Sequence, residues 1–478
     1  FWTFAPVIKV DATKGKLILE TVGKEGTEYV ALKDFFTEEG EYLLQEMVDE
    51  SYNTKPDQRS QHMEEVIKVD ERFNILYQAL TDSYMKMFPK PNDLDHAWYT
   101  DKSVLLGVSA EDSVFVRHIL PLIYSSSDSA RITGDYFTVL KNIQYIAKYQ
   151  QRYAHEIVPS VAQINAELGY NKLQLFFHLF YSYWLVGLAL LFLAITKLFK
   201  DNTAIDKGQK AFVILTVVLF IIQTLNMIVR WFAGGYPPWS NGYEMTILVS
   251  WTTILFGLFF HKKTDFILPL ATLFTGTLLF VAFLDWLNPE ITNLVPVLKS
   301  YWLKIHVAII VGSYAPLALS ALLGFTSLGL MIFSNTPKES VKLAIKEMTY
   351  LNEMSMTIGI YMLSIGTFLG GVWANESWGR YWGWDPKETW ALISILAFAI
   401  VLHLRLIPVI KPYRFWFNAA SVIAFFSIIM TSFGVNYYLS GLHSYAQGDP
   451  MPVPTWAYVL VSVVMLTIFA AYRNRAKN

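Results

Sequence analysis

Residues 373–390 concentrate the side chains best suited to holding a large flat molecule. The stretch reads Trp373-Ala-Asn-Glu-Ser-Trp378-Gly-Arg-Tyr381-Trp382-Gly-Trp384-Asp385-Pro-Lys-Glu388-Thr-Trp390 and holds five of the chain's 15 tryptophans. An interfacial aromatic belt accounts for one or two tryptophans per membrane span, not five in one loop. Gly379 and Gly383 interrupt the aromatics and let backbone approach closely, so the loop reads as a ligand platform. His306 and His443 flank it in sequence. Imidazole is a common axial ligand of heme iron, and two imidazoles make a six-coordinate site. Two histidines beside an aromatic platform are the set that a bis-histidine heme needs. Two interfacial histidines with no common partner are the alternative. Asp385, Glu388, Arg380 and Lys387 either orient the loop or pair with the propionates of such a ligand. A further loop, Gly234-Gly-Tyr-Pro237-Pro-Trp239-Ser-Asn241-Gly-Tyr243-Glu244, is rich in turn formers and aromatics and by itself reads as a structured turn.

The remaining histidines divide by depth. His403 lies 14 residues into an apolar run, about 21 Å from its start at 1.5 Å per residue. Ionisable groups at such depth are costly and usually functional. A trans ligand for an iron at His403 must lie at the same depth. His178, about 6 residues into its own run, is roughly 12 Å shallower and too far to share that iron. It reads as a packing or lipid-interface residue. His261 abuts Lys262-Lys263 and reads as a solvated loop residue, while His62, His96, His118 and His155 are isolated in sequence.

The elements that must carry these residues are membrane spans, each needing about 20 apolar residues. Nine runs qualify, at 173–196, 210–231, 244–260, 265–286, 306–333, 351–373, 389–410, 415–436 and 454–472. The loops after the odd-numbered runs, with the C-terminal tail, hold 15 Lys and Arg against 5 in the opposite loops. By the positive-inside rule the first set is cytoplasmic. Residues 1–171, the tryptophan loop and the regions of His306 and His443 then face outward. The expected fold class is mainly α: a polytopic integral membrane protein with about nine transmembrane helices and an N-terminal, mostly helical extracytoplasmic domain. Within that domain Val7 to Glu20 reads as a hairpin around Thr13-Lys14-Gly15, followed by amphipathic stretches near 29–50, 60–88 and 131–168. The domain limits are 1–171, a first span with its cytoplasmic linker at 172–204, and a membrane domain at 205–478.

Composition agrees. The chain is 54% hydrophobic and 16% charged, against roughly a quarter charged in soluble domains. Net charge is −9 over residues 1–170 and +8 over 171–478, with no long basic stripe, so no nucleic-acid partner is expected. The absence of cysteine excludes disulfides, zinc–thiolate sites, iron–sulfur ligation and a thiol nucleophile in this chain, and with no CxxCH it is not itself a c-type cytochrome. Phe1-Trp2-Thr3-Phe4 reads like the interior of something longer.

Trp378-Gly-Arg-Tyr-Trp382-Gly-Trp384-Asp385-Pro-Lys-Glu388-Thr-Trp390 resembles the WWD signature of heme-handling proteins, with Tyr381 standing where Trp is often found. The Pro238-Trp-Ser-Asn241-Gly-Tyr-Glu244 loop resembles a companion motif. With His306, His443 and His403, residues 205–478 resemble the CcsA/ResC part of System II cytochrome c synthases, in the arrangement of the fused CcsBA form. Residues 1–200 fit a remnant of the CcsB/ResB-like part. The resemblance implies a holocytochrome c synthase of the heme lyase type in the bacterial cytoplasmic membrane. Its substrate heme would be heme b, and its thioethers would form with the CxxCH of apocytochrome c. His306 and His443 would be the catalytic pair of external iron ligands, and Trp373, Trp378, Tyr381, Trp382, Trp384, Asp385 and Trp390 would line the heme. His403 would be one of a pair of intramembrane ligands, its partner supplied by an upstream or separate CcsB-like part. Thiol-reducing proteins would be further partners, and lipid would surround the spans. The rival readings are a System I protein of the CcmC or CcmF type, a solute transporter gated by the tryptophan loop, which would hold no heme, and an electron-transfer cytochrome.

Overall fold

The computed structural model describes residues 3–54, 59–81, 85–91, 93, 97–100, 108–200, 202–284, 287–292, 294, 300–333, 338–439, 453 and 455–473. The chain divides into two compact units, residues 1–160 and 161–478.

In the first unit strand β1 (Pro6–Lys9) pairs antiparallel with β2 (Tyr29–Ala31), and the helices are α1 (Lys16–Thr21), α2 (Gln45–Asn53), α3 (Gln61–Leu80), α4 (Ala110–Thr133) and α5 (Phe137–Ala154). The hairpin expected at 7–20 is therefore not formed. The Asp11 carboxylate accepts from the amides of Thr13 and Lys14, each at 2.9 Å. That local turn leads into a helix instead of a returning strand. Ile8, Val10, Ile18, Val30, Phe35 and Val66 form the buried centre here. Helix α4 lies almost wholly outside the three amphipathic stretches expected from the pattern. It is capped by Ser109, whose hydroxyl accepts from the Asp112 amide.

The second unit begins with α6 (Val161–Leu173) and continues through α7 (Leu175–Phe199), α8 (Thr203–Gly234), α9 (Gly242–Phe260), α10 (Ile267–Phe283), α11 (Tyr301–Phe333), α12 (Glu339–Trp378), α13 (Pro386–His403), α14 (Tyr413–Ile429), α15 (Val435–Tyr438) and α16 (Thr455–Arg473). A π-turn over Met430–Gly434 joins α14 to α15. Each of the nine apolar runs coincides with a helix in this series. Among the described residues eight helices are long and apolar enough to cross a membrane, and α10 is a shorter apolar helix of 17 residues. The chain is thus a mainly α, multi-pass membrane protein. Tyr183, Leu190, Ile247, Ile254 and Leu279 anchor one core among α7 to α10. Leu317, Met356, Leu363, Phe398 and Phe417 anchor another among α11 to α14.

Helix α12 runs 40 residues to Trp378 and α13 starts at Pro386. The tryptophan loop is consequently a seven-residue turn, 379–385, between two helix ends, with Trp373 and Trp378 on one helix and Trp390 on the other.

Candidate functional site

Helix α12 ends because Gly379 takes the left-handed conformation, φ 70°, that glycine adopts without steric penalty. Helix α13 starts because Asp385 and Glu388 form a capping box and Pro386 occupies the first turn. Between these ends the chain must reverse in seven residues, and Glu388 holds the reversal. One of its carboxylate oxygens accepts from the Gly383 amide at 2.7 Å and the Asp385 amide at 3.2 Å. Its other oxygen pairs with Arg380 at 3.3 Å. The two amides bracket Trp384, a non-glycine residue at φ 57°. Left-handed backbone is unfavourable for such a residue and persists only where neighbours fix it. The result is display: Trp384 is 70% exposed and Tyr381 65%. Trp382 meets Trp384 edge-on at 5.7 Å between centroids. Arg380 lies over the Trp378 ring at 5.6 Å. Arg380 and Glu388 thus orient the turn.

Below the turn, Trp373 is buried on α12 and meets Trp378 at 4.7 Å. The His306 ring, from the second turn of α11, lies nearly parallel to Trp373, with centroids 6.3 Å apart and planes 11° from parallel. The Nδ1 of His306 lies 2.7 Å from the Gly366 carbonyl oxygen on α12. A carbonyl can only accept, so Nδ1 carries a proton, and in the neutral ring the lone pair is then on Nε2. This is the arrangement in which histidine ligates metals through Nε2. The start of α11 is fixed twice more. The Ser300 hydroxyl donates to Glu376 at 2.9 Å, and the Trp239 indole donates to the Lys304 carbonyl at 2.9 Å.

That second contact brings the 234–244 loop to the same end of the bundle. Its anchor is an ion pair that the sequence reading missed, Arg230 with Glu244, both 1% exposed and 2.9 Å apart. Arg230 also donates to Tyr170 at 3.1 Å and to the Pro289 carbonyl at 2.8 Å. Glu244 accepts from the Ser240 amide at 2.8 Å. The available signal was two opposite charges inside neighbouring apolar runs, a costly arrangement unless they pair.

His403 ends α13, is exposed, and its Nδ1 donates to the Ala399 carbonyl at 2.7 Å. His178 is also exposed and bonds Tyr181 at 2.8 Å. His443 lies outside the described residues. The helix that leads towards it makes its π-turn beside Trp390, where the Thr431 hydroxyl is 3.2 Å from the Trp390 carbonyl and 3.1 Å from Ser394. Such turns recur at functional sites. The structure therefore brings His306, Trp373, Trp378 and the 379–385 turn together, with the Trp239 loop against the base of α11. His403 lies at the far end of α13. Among the described residues no cluster of three or more His, Asp or Glu could hold a bare metal ion.

The fold and site are those of a polytopic membrane protein with an aromatic turn above an anchored imidazole. A family model described as "Cytochrome C assembly protein" matches residues 239–443, from Trp239 to His443. The chain belongs to the CcsA-like cytochrome c assembly family. The cytochrome c biogenesis protein CcsA of Guillardia theta is 34% identical over 288 residues, covering 55% of this chain and 90% of that protein. CcsA of Prochlorococcus marinus is 31% identical over 289 residues, covering 54% and 93%. Protein NrfI of Wolinella succinogenes is 39% identical over 451 residues, 94% of this chain and 49% of NrfI, so the chain spans about half the length of that relative. The solved structure of the cytochrome c heme lyase CcmF aligns at TM-score 0.42 and 12% identity, over 66% of this chain and 52% of that one.

Proposed function

We propose that the chain presents heme at the outward face of a bacterial cytoplasmic membrane and joins it to the CxxCH thiols of apocytochrome c. The observation that carries this reading is His306, held with its proton on Nδ1 beside Trp373 and the displayed aromatic turn. The residues fit the group: a lone-pair nitrogen suits iron, and the exposed faces of Tyr381 and Trp384 suit a flat macrocycle. His306 and His443 are the proposed axial ligands. Heme brings two vinyl groups. Each thiol adds across one double bond, sulfur to one carbon and hydrogen to the other, so the step needs no net oxidant. The chain's contribution is to hold and orient, converting a bimolecular search into a proximate encounter. Arg380 and Glu388 keep the turn in shape, and Trp373 backs the His306 ring.

The charge asymmetry of the loops supports placing residues 1–171 and the tryptophan turn on the periplasmic side, with the C-terminus cytoplasmic. Exposed His403 is the proposed intramembrane ligand, completed by a CcsB-like part. The test is co-expression with a CxxCH apocytochrome and that CcsB-like part. The expected product holds heme that resists acid–acetone extraction, and its yield collapses in His306→Ala. Undiminished thioether product in that variant overturns the reading.

A further inference from the structure

A side chain at position i of an α-helix tilts towards the N-terminus and covers the turn before it. The carbonyl of residue i−4 sits in that covered turn, bonded to the amide of residue i. Glycine at i leaves the carbonyl open from the side. Gly366 and Gly370 stand in this relation on α12, and the His306 ring fills the opening. A Cβ added at Gly370 would lie 2.5 Å from Cε1, 2.8 Å from Nδ1 and 3.2 Å from Nε2 of His306. The ring face therefore rests on the glycine, with Nδ1 at the exposed carbonyl oxygen.

The notch belongs to a longer crossing. A Cβ at Gly366 would meet Ile310 at 2.4 Å, and one at Gly359 would meet Leu317 at 2.5 Å. The pairs 306/370, 310/366 and 317/359 keep one antiparallel register, so glycines at one face of α12 fix how closely α11 approaches. Only the first pair carries a ring nitrogen.

We infer that Gly370 is a positioning residue for heme ligation: by leaving the Gly366 carbonyl open, it sets the tautomer and ring orientation of His306. The inference rests on the proposed role of His306 as an iron ligand. A hydrogen bond at Nδ1 raises the ligand's basicity and stabilises ferric iron, and outer partners of this kind are worth about 10- to 100-fold in affinity.

Three variants of the full chain test this. In Gly370→Ala the methyl displaces the ring. The expected result is heme retention lower by about 10- to 100-fold, altered ferric electron-paramagnetic-resonance g-values, and a more positive reduction potential. Gly359→Ala meets an equally close contact 11 residues away and has no histidine there. It should lower thermal stability while keeping the parent spectrum, g-values and potential. His306→Ala checks the underlying reading. If it leaves the heme spectrum unchanged, His306 is not the ligand. If it changes the spectrum while Gly370→Ala keeps parental retention and potential, the notch inference alone fails. A measurement without heme or folding risk completes the set. In the heme-free chain labelled with 15N-histidine, the resonances lost in His306→Ala should belong to an Nδ1-protonated ring. An Nε2-protonated ring overturns the inference.

Discussion

The carboxylate of Glu388 keeps Trp384 in a backbone conformation that tryptophan does not choose for itself. It accepts from the amides on either side of that residue and pairs with Arg380, which lies over Trp378. Glu388→Ala leaves both amides and the guanidinium without this acceptor, a loss of about 1–3 kcal/mol. Trp384 should then relax out of the left-handed region. Amide hydrogen exchange at Gly383 and Asp385 is expected to speed up roughly tenfold or more, and unchanged exchange contradicts the clamp. Much at this scale was legible from residue type. The crowding of tryptophans and glycines at 373–390 is plain in the sequence, whereas the Asp-Pro-x-Glu capping signal at 385–388 went unread until the helix start was seen. The notch beneath His306 was not legible, because residues 306 and 370 meet only through the packing of two long helices. Arg230, at the end of its apolar run, looks like an interfacial charge until its pairing with Glu244 on the next helix is seen.

Among the elements, hydrophobic runs gave the helices well and their ends poorly. The run expected to start at 389 starts at Pro386, because the Asp385–Glu388 box extends the helix into polar sequence. The hairpin expected at 7–20 failed for the converse reason, an Asp11 turn overriding an alternating pattern. Element placement also has an energetic anchor. Arg230 and Glu244 join α8 to α9 and, through Ser240 and Trp239, hold the 237–241 loop against α11. Glu244→Ala strands a buried guanidinium and should destabilise the membrane unit by about 3–5 kcal/mol. Thermal unfolding in detergent measures it, with Arg230→Met/Glu244→Leu expected to recover much of the loss. A Glu244→Ala chain as stable as the parent refutes an organising role for the pair.

At the scale of the whole molecule, the first unit carries a pH response of its own at Asp70. In the first unit Asp70 is 7% exposed and accepts from the Tyr42 hydroxyl at 3.0 Å. Burial pushes its carboxyl above the ordinary 3.8, against the hydrogen bonds from Tyr42 and Asn74. The folded unit therefore holds this proton at pH values where the unfolded chain has lost it. This group's contribution to stability rises as pH falls through the raised value and levels off below 3.8. Hydrogen exchange of α3 across that window should show the gain, and Asp70→Asn should abolish it. The membrane unit carries the central claim, that His306 and the tryptophan turn form a heme site. Its most direct test is the absorption spectrum of the chain co-expressed with the CcsB-like part in heme-replete cells and purified in detergent, beside a His306→Ala/His443→Ala variant. The account predicts a six-coordinate, low-spin heme in the parent and its loss or conversion in the variant. An identical spectrum in both, or a parent chain that takes up no heme, contradicts it.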